Sequence, residues 1–317
     1  MAAKDVLIIA HRGASGYLPE HTLEAKAFAY ALGADFIEQD LVATRDDELI
    51  VVHDIHLDRV TDVAEVFPER ARDDGRYYAR DFDLAEIRLL RAGERRNSDG
   101  KTAVFPKRFP IDRGNFRIPT FSEEIELIQG LNRSTGRDVG IYPEIKQPAW
   151  HRDNGVDLSK LVLRTLGEFD YRDATDNVFL QCFDIDESRR IRSELGSRLR
   201  LIQLLDTPGV ADADGTGFAY LASPAGLQEI AAFADGVGPW LGYLAKIAEI
   251  DGQPVSTGFV SAAHASDLVV HPWTFRAEEL IPGMDSLVEM VQWCVEELSI
   301  DGLFTDFPDL ARQGISR

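Results

Sequence analysis

The stretch KDVLIIAHRGASGYLPEHTLEAK, Lys4 to Lys26, decides how the rest of the chain is read. Four apolar residues, Leu7 to Ala10, run straight into His11-Arg12-Gly13, and a helical pattern begins at Leu23. A buried strand that closes on two cationic side chains and passes through a short loop into a helix is the opening of a β/α unit. Its polar groups stand at the carboxyl end of the strand.

The pattern recurs along all 317 residues. Short apolar runs predict strands at Val6–Ala10, Phe36–Leu41, Leu49–Val52, Gly140–Ile145, Val178–Phe183, Leu199–Leu205, Gly236–Trp240, Leu268–Pro272 and Gly302–Thr305. Periodicity predicts helices at Leu23–Leu32, Phe121–Leu131, Leu158–Phe169, Ile185–Leu195, Ala225–Ala234 and Met284–Leu298. Their start signals are Ser122 as a cap, Asp184 with Glu187 three residues on, and Ser223-Pro224. Alternation of this kind, with strands apolar on both faces, is the mark of a parallel sheet covered by helices. The length suits one (β/α)8 TIM barrel of about 250 residues with insertions, so residues 1–317 are read as a single catalytic domain. Nine candidates for eight places leave one strand over. The pair 36–41 and 49–52, separated by the turn-like Arg45-Asp46-Asp47-Glu48, is the suspect.

One segment breaks the alternation, and residues 62–118 are read as an insertion near the mouth of the barrel. From Glu69 to Arg117 it carries 13 Lys and Arg against 9 Asp and Glu, although the whole chain has 34 against 54 and a net charge of −20. The ordinary reading of such a run is a solvated surface excursion; the functional one is a cap that draws in an anionic substrate.

The acidic balance argues against nucleic acid as a partner, and no apolar run approaches the roughly 20 residues of a membrane helix, so no membrane insertion is expected. Cys182 and Cys294 show no metal-binding spacing and are read as core residues. Met1 to Lys4 carries no apolar signal segment, which leaves two expectations: periplasmic if a signal peptide was trimmed, otherwise cytoplasmic. Oligomeric state is left open.

Polar residues close several strands: His11-Arg12, Glu38-Gln39-Asp40, His53-Asp54, Glu144-Ile145-Lys146, Gln181 to Asp184, and His271-Pro272-Trp273. In a barrel this is the face on which active sites are built. Glu38 and Asp40 lie two apart on one strand and so point the same way. With Glu144 added they ask for a cation between them, and oxygen ligands alone favour Ca²⁺ or Mg²⁺ over zinc. Lys146 joins Glu144 on one face. Arg12 offers a planar fork of donors to phosphate oxygens, and His11 and His53 can exchange protons near neutral pH. A hard cation, a guanidinium, an ammonium and two imidazoles suit phosphoryl transfer on an anionic phosphoester. Gln181, Phe183 and Trp273 are placed at the pocket wall, and Glu20 behind Arg12. His21, His56, His151 and His264 are read as surface residues.

AHRGASGYLPEHTLEA, GADFIEQDLVATRDDELIVVHD, LDRVTDVAEVFPERARDDGRYYARDF, GIYPEIK, FLQCFD and GLFTDFPD together resemble bacterial glycerophosphodiester phosphodiesterases, above all their calcium-dependent periplasmic branch. The resemblance spans nearly the whole chain. It implies a barrel, one divalent cation with Ca²⁺ preferred to Mg²⁺, and metal ligands Glu38, Asp40 and Glu144. It further implies a His11/His53 acid–base pair and Arg12 on phosphate. The implied reaction takes a small-molecule glycerophosphodiester, such as glycerophosphocholine or glycerophosphoethanolamine, to sn-glycerol 3-phosphate and an alcohol. Asp206–Pro224 and Pro239-Trp240-Leu241 depart from the family pattern. Two other readings use the same scaffold: a lyase or phospholipase D acting on phospholipid or sphingolipid headgroups, which would need an apolar rim, and a non-catalytic calcium-binding surface protein, against which both histidines speak.

Overall fold

Alternate residues of the apolar runs face one interior, and that period of two builds the molecule. A computed structural model describes residues 6–210, 215–249 and 252–316. Met1 to Asp5 and residues 211–214 of the Asp206–Pro224 stretch lie outside the described residues. The strands are β1 (Leu7–Ala10), β2 (Phe36–Ala43), β3 (Leu49–Val51), β4 (Gly140–Ile145), β5 (Phe179–Cys182), β6 (Arg200–Leu205), β7 (Gly236–Pro239), β8 (Ala245–Ile247), β9 (Pro254–Ser256), β10 (Val269–Val270) and β11 (Gly302–Thr305).

Eight of them form a parallel sheet in the order β10-β7-β6-β5-β4-β2-β1-β11. The chain just after β10 closes it onto β11: Asp301 N–H donates to Val270 O at 3.1 Å, and Phe304 N–H to Pro272 O at 3.0 Å. This is the expected barrel. The surplus strand is β3, which folds back antiparallel on β2 with Leu41 opposite Val51. The turn of Arg45 to Glu48 can do nothing else, because a parallel return needs a crossover of a dozen or more residues.

Ile9, Phe36, Tyr142, Phe179, Ile202 and Phe304 fill the interior as one apolar cluster. Two residues further along their strands stand His11, Glu38, Glu144, Gln181, Leu204 and Asp306. The plug below and the site above are thus successive rows of the same inward-facing side chains. Outside, helices such as Leu23–Ala31, Phe121–Thr135 and Leu158–Glu168 cover the sheet with a second apolar layer.

Residues 62–118 leave the barrel after β3 as short turns and helices, including Val63–Val66 and Leu84–Ile87. Phe82, Ile87, Leu90, Phe116 and Ile118 give this stretch its own apolar cluster, seated against Val42, Ile50 and Val52. Much of its positive charge is answered nearby: Arg70 pairs with Glu86, Arg72 with Asp81, Arg76 with Asp58 and Arg91 with Asp62.

Several local expectations are corrected. Thr120, not Ser122, caps helix Phe121–Thr135: its hydroxyl accepts from Glu123 N–H while Glu123 reaches back to the Thr120 N–H, a full capping box. The expected Met284–Leu298 helix starts at Leu287, because Ser286 takes the cap, and it widens to a π-helical turn over Cys294–Leu298. The hairpin β8–β9 leaves no sign in the sequence; at three residues each its strands are too short for periodicity to show. Cys182 and Cys294 are free and buried.

At the start of β4, Gly140 faces the Phe36 ring and Asn177 O so closely that an added Cβ would lie 2.2 Å from the ring and 2.7 Å from the oxygen. The backbone oxygen cannot swing away. Gly140→Ala is expected to lower stability by roughly 1–3 kcal/mol, as overpacking does, read as a shift in the urea midpoint; an unchanged midpoint would contradict this packing.

Candidate active site

The carboxyl ends of the barrel strands open into a cavity of about 690 Å³. His11, Arg12, Glu38, Asp40, His53, Glu144, Lys146, Gln181, Phe183 and Trp273 all line it. Glu20 lies behind the wall, its Oε2 accepting from Arg12 Nη1 at 3.0 Å.

Strand register makes the acidic centre. Asp40 on β2 sits directly opposite Glu144 on β4, and Glu144 opposite Gln181 on β5. With Glu38 two residues before Asp40, ligand oxygens of the three buried carboxylates come within 4.8 Å of one another. Glu38 is held by Gln181 Nε2 at 2.9 Å and by the Arg12 backbone N–H at 2.8 Å. That amide points inward because Arg12 adopts a left-handed backbone, with φ of 59°.

Charge separates the three groups. Burial, and then Asp40 and Glu144, push the Glu38 carboxyl well above its ordinary value. Burial also lifts Glu144 to about 8, against the pull of Lys146 at 2.7 Å. For Asp40 burial works upward too, but Lys146, His21 and His53 outweigh it and hold the group well below the carboxylate range. Asp40 Oδ1 is buried and accepts no hydrogen bond from the described residues. A buried anionic oxygen without a hydrogen bond among the described residues, beside two more carboxyl groups, fits a divalent cation. Glu38, Asp40 and Glu144 would hold it.

Each site histidine is anchored at one ring nitrogen. His11 Nδ1 lies 2.6 Å from Asp306 Oδ1, and His53 Nδ1 lies 2.5 Å from Asp54 Oδ1. Such a bond fixes the tautomer with the proton on Nδ1 and leaves Nε2 for the cleft. Burial lowers His11 to about 4 even though Asp306 raises it. Burial, with Arg12 and Lys146, takes His53 to about 3, although its side chain remains 31% exposed and cleft water moderates the fall. Both rings are neutral at pH 7 before substrate enters. Arg12 Nε is buried without a hydrogen-bond acceptor among the described residues, so the guanidinium keeps a donor for an incoming anion.

Two histidines expected at the surface are buried instead. His21, in a left-handed turn ahead of helix Leu23–Ala31, lies under the site, with Nε2 at 2.6 Å from Asp40 Oδ2 and Nδ1 at 3.1 Å from the buried Lys26 Nζ. Their neighbour Glu124 takes an ion pair from Lys26 at 3.0 Å. His151 packs at 0% exposure, with Nε2 on the Ala43 N–H. Sequence gives no sign of either burial, because both depend on what folds over them. Asp306, which holds His11, lies outside the expected set, yet the strand-end rule that finds Glu144 also finds it, one residue past β11.

The Glycerophosphoryl diester phosphodiesterase family model matches residues 11–310. The chain belongs to that family. It is 44% identical over 323 residues to a glycerophosphodiester phosphodiesterase of Haemophilus influenzae, covering 96% of this chain and 88% of the relative. A solved structure from Silicibacter pomeroyi, 22% identical, matches with a TM-score of 0.73 over 99% of this chain and 94% of that one. An Oleispira antarctica phosphodiesterase, solved with sn-glycerol-3-phosphate, matches with a TM-score of 0.67 at 17% identity over 98% and 97%. The fold is thus the family's barrel.

Cation binding must displace the protons that burial keeps on Glu144, up to about pH 8, and on Glu38. Affinity for a divalent cation is therefore expected to rise by at least roughly tenfold per pH unit from about pH 6 to 8. Calorimetric titration at four pH values checks it, and a flat profile would remove the three-carboxylate site.

Proposed function

We propose that this cleft hydrolyses glycerophosphodiesters to sn-glycerol 3-phosphate and an alcohol, with His11 and His53 as the acid–base pair. Family membership and the 44% identical Haemophilus influenzae relative support the reaction. The carrying observation for its mechanism is that two histidines, each fixed at Nδ1 by an aspartate, line one cavity with Arg12, Lys146 and three carboxylates. In this reading residues 62–118 are an insertion within one catalytic unit.

The substrate phosphate sits against Arg12 and Lys146, where its charge offsets the two cations that depress His53. A divalent cation, Ca²⁺ by preference for an all-oxygen donor set, supplies charge stabilisation to the non-bridging oxygens when bound. His11 Nε2 takes the proton of the glycerol 2-hydroxyl, whose oxygen forms a bond to phosphorus as the bond to the headgroup oxygen breaks. Protonated His53 delivers its Nε2 proton to that departing oxygen. The product is a five-membered cyclic phosphate, favoured because the attacking oxygen is already tethered. In the second half, His53, now neutral, takes a proton from water, the hydroxyl adds to phosphorus as the bond from phosphorus to the 2-oxygen breaks, and His11 returns its proton to that oxygen, leaving sn-glycerol 3-phosphate. Phe183 and Trp273 flank the headgroup side, with Gln181 fixing Glu38.

Replacing either histidine is expected to cost roughly 10²- to 10⁴-fold in kcat on glycerophosphocholine. His53→Ala should recover much of the loss on a nitrophenyl glycerophosphodiester, which needs no acid, whereas His11→Ala should not; equal losses on both substrates would defeat the assignment. Exhaustive chelation is expected to abolish turnover, restored by Ca²⁺. Following glycerol 3-phosphate against cyclic phosphate separates this hydrolase from a lyase that stops at the ring.

A further inference from the structure

Three arginines of the inserted segment are withdrawn from water, and two of them reach the site. Arg70, Arg72, Arg76, Arg88 and Arg91 pair at the surface with side chains 33–47% exposed, a kind of contact that contributes little. Arg80, 11% exposed, turns to Asp47 and to the carbonyls of Thr44 and Asn154; Arg95 and Arg108 are 12% and 5% exposed. Withdrawing a guanidinium from water costs several kcal/mol unless carboxylates meet it with good geometry, so what these two meet is informative.

Arg95 Nη1 donates to Asp54 Oδ2 at 2.7 Å, and the other oxygen of the same carboxylate holds His53. Its Nη2 and Nε donate to Glu20 at 2.6 and 2.9 Å, and Glu20 in turn holds Arg12. Arg108 Nη2 donates to Asp306 Oδ2 at 2.7 Å, and the other oxygen of Asp306 holds His11. Arg108 is itself fixed by Glu278 through Nε and Nη2 at 2.9 and 3.0 Å, and lies over the Phe105 ring at 3.8 Å. Each aspartate is therefore gripped at both oxygens, by a histidine on one side and an inserted arginine on the other. A carboxylate held at one oxygen can turn about its Cβ–Cγ bond and carry the imidazole with it. Held at both, it sets the ring plane.

We infer that Arg95 and Arg108 are positioning residues for the two histidines, so that the 62–118 segment completes the catalytic geometry of the barrel it covers. The inference rests on the acid–base reading above. The two arms are unequal: Arg276 Nε also donates to Asp306 Oδ2, at 2.9 Å, while Arg95 alone among the described arginines reaches Asp54 and also steadies Arg12 through Glu20.

The test is steady-state kinetics of Arg95→Ala, Arg95→Lys, Arg108→Ala and Arg108→Lys on glycerophosphocholine and on a nitrophenyl glycerophosphodiester, with melting temperature and His11→Ala and His53→Ala alongside. Arg95→Ala is expected to lose roughly 10- to 100-fold in kcat on glycerophosphocholine, the range seen for residues that orient reacting groups. It should raise KM through Arg12 and lose far less kcat on the nitrophenyl substrate. Arg108→Ala should lose less, and equally on both substrates, because His11 takes the nucleophile's proton in each. The lysine variants should recover only part of kcat; in Arg95→Lys the single ammonium can reach Asp54 or Glu20 but not both. A merely structural role would not sort the variants by leaving group. Loss from Arg95→Ala that is equal on the two substrates, or kcat within about twofold of wild type for both alanine variants, overturns the inference. If the alanine variants do not fold, the lysine variants must show the same sorting at smaller size, and its absence overturns the inference too. Wild-type activity in His11→Ala and His53→Ala would instead overturn the acid–base reading itself.

Discussion

Three carboxyl groups buried within 4.8 Å of one another are the constraint to which the surrounding structure responds. A pair of like charges about 4 Å apart repels by roughly 4 kcal/mol at an effective dielectric of 20, and the strand pleat leaves Glu38, Asp40 and Glu144 no way to turn aside. The neighbours are arranged accordingly. Lys146 bonds Glu144, Gln181 and the Arg12 amide bond Glu38, and His21 bonds Asp40 from below with Lys26 and Glu124 behind it. Burial and mutual repulsion raise Glu38 and Glu144 against the pull of these donors, while Lys146 and His21 help keep the central Asp40 ionised. Asp40 Oδ1 has Lys146 Nζ at 3.8 Å but no hydrogen bond among the described residues.

Around this centre the labour is divided between two parts of the chain. Barrel strands carry the acidic groups and His11. The hairpin that β3 makes with β2 carries His53 just past its end, next to the inserted segment. His53 thus lines the cavity from a position outside the parallel strands.

Much of this is legible in the sequence. A period of two through FIEQD predicts a shared face for Glu38 and Asp40, and polar residues at successive strand ends predict the mouth of the barrel. Which carboxylates are adjacent is not legible, because the β2–β4 register that sets Asp40 against Glu144 is a contact across about a hundred residues of chain. The same limit hides His21: a histidine in a polar loop looks solvated until a helix lysine and a strand aspartate close over it. Thr120 and Ser122 show a finer limit, since both are capping residues and only the position of Glu123 chooses between them. In the inserted segment, composition shows an excess of positive charge but not that two arginines among many reach the aspartates beside the histidines.

Strand β1 pairs on one side with β2 and on the other with β11, so the first strand of the chain is also beside the last. The bond from His11 to Asp306 spans 295 positions. During synthesis the three carboxylates, Lys146 and His53 have all emerged by residue 146, and Gln181, which holds Glu38, follows. An oriented His11 cannot exist until β11 has emerged and docked. The partner that sets His11 is therefore among the last residues to emerge, and a chain truncated ahead of Asp306 would keep its three carboxylates while its first histidine had no aspartate to set it.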